Sequence, residues 1–140
     1  MRDVAKLGNI GEGLVFSSLR KRHENVAFSE DKFDSVKDGV VDGQSVEVKT
    51  LVPIKIYDAF CIGSDQIVKC LNVDRLFFVK ISRGDDIHIY ESPRPRRPFS
   101  RLYSGDTCYF FKLTDLQLYD TIRDEITAQE MRRLSPSRYL

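Results

Sequence analysis

Residues that bind soft metals or form disulfides are scarce in this sequence. It has three cysteines, Cys61, Cys70 and Cys108, together with two histidines and no tryptophan. An odd number of widely spaced cysteines makes neither a disulfide framework nor a zinc-binding pattern, so we expect three reduced thiols in the core. No residue pattern orients His23 or His88 toward a cysteine nucleophile. A disulfide scaffold, a structural zinc site and a cysteine hydrolase are therefore disfavoured.

Long hydrophobic runs and a large excess of one charge are also missing. No apolar segment approaches the roughly 20 residues that span a bilayer, and residues 1–4 lack the pattern of a signal peptide. The formal net charge is +1, so overall charge alone does not mark a nucleic-acid-binding protein. With 41% hydrophobic and 31% charged residues, the chain is expected to form one globular cytoplasmic domain, residues 1–140.

Helices and strands are expected to alternate along the chain. Apolar residues at helical spacing predict a helix from the N-cap Asn9 to about Arg22, with Glu12 in its first turn, where an acid complements the helix dipole. A second helix should start at the N-cap Ser64 and end near Leu71. Short helices are expected near residue 115 and from a Thr127–Glu130 capping box. The expected strands are 26–28, 32–41, 44–52, 74–81, 87–90 and 108–112, and residues 54–62 should be irregular strand or loop. This order predicts an α/β fold with a mixed sheet.

The predicted hairpin around Asp42-Gly43 places several charges on one face. In Val46-Glu47-Val48-Lys49 the valines alternate with charged residues, so Glu47 and Lys49 should share the face opposite the apolar one. Simple register puts Asp38 opposite Glu47, and alternation adds Asp34 to the same face. Clustered carboxylates repel unless a proton or cation resolves the conflict, and magnesium or manganese suits oxygen ligands. The alternative is a charged, solvated hairpin.

A proline-rich stretch, residues 92–101, carries most of the clustered positive charge. Three prolines within it exclude a helix or a central strand and predict an extended, stiff loop. The loop could grip backbone phosphates through fork-like guanidinium donors, and its arginines are Arg94, Arg96, Arg97 and Arg101. The alternative is a solvated connection without a ligand.

The order of the acidic residues and the lysine resembles that of a known nuclease family. Glu12 on a helix, Asp34 on one strand and Glu47-Val48-Lys49 on the next resemble the PD-(D/E)XK, or restriction-endonuclease-like, superfamily. The thirteen positions from Asp34 to Glu47 are similar to the spacing in Holliday-junction resolvases, Mrr-type enzymes and one class of homing endonucleases. The resemblance covers residues 8–80, leaving 92–101 as a basic loop and 114–140 as C-terminal helices. Phe33 stands where the named motif has proline.

This resemblance implies a restriction-endonuclease-like core, a mixed sheet with an antiparallel catalytic hairpin flanked by helices. It implies catalytic roles for Glu12, Asp34, Glu47 and Lys49. Magnesium, with manganese as a substitute, would be held by Asp34, Glu47 and the Val48 carbonyl. Asp38 remains an alternative to Asp34, because simple hairpin register brings it closer to Glu47, although the family spacing favours Asp34.

The function expected from the resemblance is magnesium-dependent endonuclease cleavage of duplex DNA, at specific sites as in homing or restriction enzymes. Cutting both strands with a small domain implies a homodimer or homotetramer. Such a protein would be prokaryotic, organellar or phage-encoded. The alternatives are a structure-specific Holliday-junction resolvase and a catalytically inactive DNA-binding module of the same fold.

Overall fold

The computed structural model of the protein describes residues 3–22, 25–28 and 38–136. Its helices are α1 (Asp3–Arg20), α2 (Ile67–Asn72) and α3 (Glu125–Leu134). Its strands are β1 (Val26–Phe28), β2 (Gly39–Val41), β3 (Gln44–Leu51), β4 (Ala59–Gly63), β5 (Arg75–Lys80), β6 (Asp86–Ser92), β7 (Phe99–Tyr103), β8 (Asp106–Lys112) and β9 (Gln117–Arg123). A short 3-10 turn at Leu113–Asp115 joins β8 to β9.

The strands form a large mixed sheet and a small antiparallel one. The large sheet has the order β1-β2-β3-β5-β6-β9, and the small sheet has the order β4-β8-β7. Within the large sheet β3 and β5 run parallel, whereas the other neighbours are antiparallel. Because parallel strands need a crossover, the chain passes through β4 and α2 between β3 and β5. This confirms the predicted α/β class with a mixed sheet.

Apolar layers cover both faces of the large sheet. On one face α1 and α3 pack against β3, β5 and β6, with Val46, Val48 and Phe77 in this layer. On the other face the small sheet and α2 enclose Leu76 and Phe78. Burial on both faces explains why β5 is an almost continuous apolar run rather than an alternating one.

The hairpin predicted around Asp42-Gly43 is confirmed. Asp42 and Gly43 both have positive φ, 47° and 80°, as a two-residue turn of the primed type requires. Val41 pairs with Gln44 and Gly39 with Val46. The alternation in β3 is also confirmed, because Val46 and Val48 are buried on the α1 face.

Both predicted helix starts before residue 70 were wrong. Helix α1 begins at Asp3 rather than at Asn9, because Leu7 extends the buried stripe by one turn toward the N-terminus. Helix α2 begins at Ile67, and its N-cap is Gln66 instead of Ser64.

The C-terminal part also differs from the prediction. The helix expected near residue 115 is only the 3-10 turn, and β9 follows it as the edge strand of the large sheet. Helix α3 is capped by Asp124, whose side chain accepts hydrogen bonds from the Thr127 N–H at 3.0 Å and its hydroxyl at 2.7 Å. The Thr127–Glu130 capping box was therefore wrong. The irregular segment 54–62 ends in β4, and the basic loop ends before β7, so Arg101 lies on a strand.

None of the helices in the described ranges is long and apolar enough to cross a membrane. The three cysteines are free thiols, as predicted, but only Cys70 is buried in the core, whereas Cys61 and Cys108 are partly exposed. Burial raises the pKa of the Cys70 thiol to about 11. Burial and the adjacent Cys108 thiol raise the pKa of Cys61 to about 12. Both thiols are therefore protonated at neutral pH, which is unfavourable for a cysteine nucleophile.

Candidate functional site

The candidate site lies where β3 extends beyond its hairpin partner. Strand β2 pairs with residues 44–46 of β3, and Asp38 continues the hairpin by donating its N–H to the Val46 carbonyl at 2.7 Å. The Asp38 Oδ2 atom accepts a hydrogen bond from the Val48 N–H at 2.8 Å. The N–H and C=O of one strand residue point to the same side, so the Val48 carbonyl also faces this edge. The main chain thus fixes the Asp38 carboxylate beside Glu47, as simple hairpin register predicted.

Glu47 is the most deeply buried ionisable group of the site. Its side chain is 1% exposed, and its Oε2 atom lies 3.3 Å from Lys49 Nζ and 3.2 Å from Lys69 Nζ. The other carboxylate oxygen, Oε1, is buried without a hydrogen-bond partner. Burying a carboxylate is costly unless its charge is neutralised and its oxygens are satisfied. The ammonium groups of Lys49 and Lys69 neutralise the charge, but Oε1 has no hydrogen-bond partner.

Two carboxyl groups at this site hold protons more tightly than usual. Burial, then hydrogen bonding with Asp38 and the Asp38 charge, raise the pKa of Glu47 to about 8. Burial, then the Asp38 charge and hydrogen bonding with Asp38, raise the pKa of Glu12 to about 7. Lys49 and Lys69 oppose both shifts. Near neutral pH the cluster is therefore poised to exchange protons.

Helix α1 brings Glu12 into this cluster through a close approach to β3. A Cβ atom on Gly11 would lie 1.7 Å from Thr50 Oγ1, so only glycine permits this separation. Glu12 follows Gly11 on the half-exposed side of the helix. A glycine within a helix reduces its stability, but Gly11 lets α1 approach β3 closely enough to bring Glu12 to the site.

Helix α2 supplies two further side chains. Gln66 Oε1 accepts a hydrogen bond from Lys49 Nζ at 2.8 Å. Lys69 Nζ lies 3.2 Å from Glu47 Oε2 and 3.9 Å from Asp38 Oδ1. Lys69 was not predicted from the sequence. The sequence feature that could have indicated Lys69 is its spacing of three residues from Gln66. This spacing places both residues on one side of the short helix that follows the Glu-Val-Lys strand.

The structure brings together Glu12, Glu47 and Lys49 of the four predicted catalytic residues. Asp34, the fourth, lies outside the described residues. Asp38, the alternative, is in the cluster.

The donor atoms at this site suit a hard divalent cation. Asp38 and Glu47 provide carboxylate oxygens, and Glu47 Oε1 is an orphaned buried acceptor that a cation would satisfy. Across residues 3–22, 25–28 and 38–136, no three His, Cys, Asp or Glu side chains are already arranged to hold a metal together. A cation here would therefore use two carboxylates and a main-chain oxygen such as that of Val48.

The four predicted phosphate-binding arginines divide into two pairs. Arg94 Nη2 donates to the carbonyls of Asn72 and Val73 at 3.1 and 2.7 Å. Arg96 donates to carbonyls at and after the C-terminal end of α2, namely Cys70, Leu71, Val73 and Asp74, and to Ser92. These bonds satisfy carbonyls that a helix end leaves without intrahelical partners. Arg94 and Arg96 thus fasten the proline-rich loop to α2.

Arg97 and Arg101 are exposed. Arg97 lines a cleft of about 360 Å³ together with Lys112 and Asp115. The Arg101 guanidinium donates to the Ser100 carbonyl at 2.7 Å and lies 5.1 Å from the centre of the Phe99 ring. Within the predicted set, these two side chains are the better placed to meet a phosphate backbone.

Comparison of the chain with protein-family models, with curated proteins and with solved structures gives no match.

Proposed function

We propose that this protein is a magnesium-dependent endonuclease that hydrolyses phosphodiester bonds of duplex DNA at preferred sites. One observation carries the proposal: Glu12 of α1 meets Asp38, Glu47 and Lys49 of the β2–β3 hairpin at the open edge of β3. Glu47 is buried with one carboxylate oxygen, Oε1, that has no hydrogen-bond partner and that a bound cation would satisfy.

The residues that would hold the cation are Asp38 and Glu47, with the Val48 carbonyl. Asp34 remains a proposed ligand. A bound divalent cation polarises the phosphate and lowers the pKa of a water molecule. Manganese should substitute for magnesium, because both prefer oxygen ligands.

The other side chains act on the water and the phosphate. Gln66 and Glu47 both hold Lys49 Nζ, so its ammonium is preorganised to orient the attacking water and to stabilise negative charge developing on the phosphate. Glu12, which lies in the same cluster, can accept a proton from that water.

DNA binding is assigned to two of the three exposed arginines of the predicted set, because the third, Arg94, binds the Asn72 and Val73 carbonyls. Arg97 and Arg101 would contact backbone phosphates, while Arg94 and Arg96 hold the loop in place. Cutting both strands requires two such sites, which we propose a homodimer or homotetramer supplies. A homing or restriction enzyme of this kind would act in the cytoplasm.

The test is incubation with magnesium and a panel of nucleic acids: a long natural duplex, a random short duplex, a four-way junction and single strands. The variant Glu47→Gln should be inactive, whereas the control Lys55→Ala changes an exposed lysine outside the cluster and should cut normally. Discrete fragments from the long duplex, absent with EDTA, are the expected result.

Other outcomes select the alternatives. Cleavage confined to the four-way junction would identify a Holliday-junction resolvase. Binding to duplex DNA without cleavage in magnesium or manganese would identify an inactive DNA-binding module. If the protein neither binds nor cleaves any member of the panel, the proposal is overturned.

A further inference from the structure

Lys69 occupies the space between the two carboxylates to which we assign the cation. Its Nζ lies 3.2 Å from Glu47 Oε2 and 3.9 Å from Asp38 Oδ1. The side chain is 16% exposed, so the ammonium is largely shielded from water. Its position is that of a counter-ion shared by two acids.

Lys49 differs from Lys69 in how it is held. Its Nζ also lies near Glu47 Oε2, at 3.3 Å, but it donates to Gln66 Oε1 at 2.8 Å. Lys49 is therefore fixed by a neutral amide and touches one of the two carboxylates. Lys69 bridges both of them.

We propose that Lys69 is the resident cation of this site, which holds Asp38 and Glu47 together in the metal-free protein and competes with a divalent cation for them. The proposal rests on the proposed function in that it takes these two carboxylates as the cation ligands. An ammonium and a divalent cation on the same oxygens repel each other strongly at such separations. One must therefore leave as the other binds.

The fold allows Lys69 to leave without moving its helix. Arg94 and Arg96 bind the carbonyls at and beyond the C-terminal end of α2, so the main chain of this helix is anchored. The lysine side chain has a flexible four-carbon stem. Its ammonium can swing toward solvent while Gln66, on the same helix, keeps hold of Lys49.

The test measures Mn²⁺ affinity by calorimetric titration at fixed pH and ionic strength, without DNA. Lys69→Met, which keeps the length but removes the charge, should bind Mn²⁺ about tenfold or more tightly than the wild type. Lys69→Arg keeps the charge and should stay within about threefold of the wild type. Lys49→Met should give a smaller gain than Lys69→Met, and Lys55→Met should give none.

A second measurement needs no loss of charge and covers the case in which Lys69→Met does not fold. In the wild type labelled with carbon-13 lysine, one Cε resonance is absent from the spectrum of Lys69→Arg and so identifies Lys69. Saturating Mg²⁺ should shift this resonance toward that of a solvated lysine, while the Lys55 resonance stays in place. If the wild type binds Mg²⁺ and its Lys69 resonance stays unchanged, the proposal is overturned.

The outcomes separate this inference from the proposed function. If the wild type binds Mn²⁺ and Lys69→Met binds no more tightly, Lys69 is not a competitor, and the nuclease proposal stands. If Lys69→Met binds Mn²⁺ and the wild type does not, the competition is supported and a metal-dependent wild-type nuclease is not. If neither binds, both proposals are overturned.

Discussion

Replacing Glu47 by glutamine should remove most of the pH dependence of stability that the carboxylate cluster imposes on the metal-free protein. The pKa of Glu47 is raised from 4.5 to about 8 in the folded chain, by burial first and by Asp38 second. Between these two values the folded state holds a proton that the unfolded state has released. The free energy of unfolding of the wild type therefore falls as the pH rises from about 4.5 to about 8.

The size of this effect follows from the shift. One pKa unit corresponds to about 1.4 kcal/mol, so the shift of Glu47 sets a scale of roughly 2–5 kcal/mol, with coupling to Asp38 placing it below the upper end. Glutamine stays neutral at every pH and lacks this contribution. A smaller slope should persist in the variant from Glu12, whose pKa is about 7.

The assay is urea denaturation in EDTA from pH 5 to pH 9, followed by circular dichroism because the chain has no tryptophan. The difference in free energy of unfolding, wild type minus Glu47→Gln, should decrease steadily as the pH rises. Glu125→Gln, at an exposed glutamate, is the matched control and should run parallel to the wild type. Magnesium at pH 8.5 should stabilise the wild type and not Glu47→Gln. Parallel wild-type and Glu47→Gln curves would refute the argument.

Three other predictions test separate parts of the site. Lys49→Ala should abolish cleavage and leave DNA affinity intact, and a single-turnover rate within about threefold of the wild type, roughly 0.7 kcal/mol of barrier, would remove Lys49 from the mechanism. Asp38→Asn should abolish calorimetric Mg²⁺ binding while Asp34→Asn weakens it less; the reverse order would make Asp34 the main ligand. Arg96→Ala should lower the melting temperature by several degrees, because helix carbonyls lose their donor. Arg97→Ala should leave the melting temperature unchanged. It should reduce the slope of the logarithm of DNA affinity against the logarithm of salt concentration by about 0.9. Equal melting temperatures for the two arginine variants would contradict the division between anchoring and DNA-contacting residues.

Local patterns in the sequence predicted the hairpin correctly. A two-residue Asp-Gly turn requires positive φ at both positions, and the alternation of valine with charged residues places Val46 and Val48 on one face. These are properties of neighbouring residues, so they can be predicted from short segments. The predicted helix start at Asn9 was wrong, because Leu7, two residues before Asn9, is buried and extends the apolar stripe of the helix.

The sequence alone did not predict which arginines are free of main-chain carbonyls and so available to contact a ligand. Arg96 and Arg97 are neighbours with the same chemistry, yet Arg96 binds the carbonyls around the C-terminal end of α2 and Arg97 is exposed. The contacts of Arg96 are with residues more than twenty positions away along the chain. Only the packing of the proline-rich loop against α2 distinguishes the two side chains.

Periodicity and turn geometry were enough to predict the mixed α/β class and the hairpin register, which places Asp38 opposite Glu47. The residue types on this hairpin point to phosphodiester chemistry. Only the folded structure shows that the Val48 N–H binds the Asp38 carboxylate and that Lys69 lies between Asp38 and Glu47. It also decided that Glu47 is buried with a raised pKa. The reason is physical: burial and charge neutralisation depend on groups brought together from distant parts of the chain, and no local pattern records that approach.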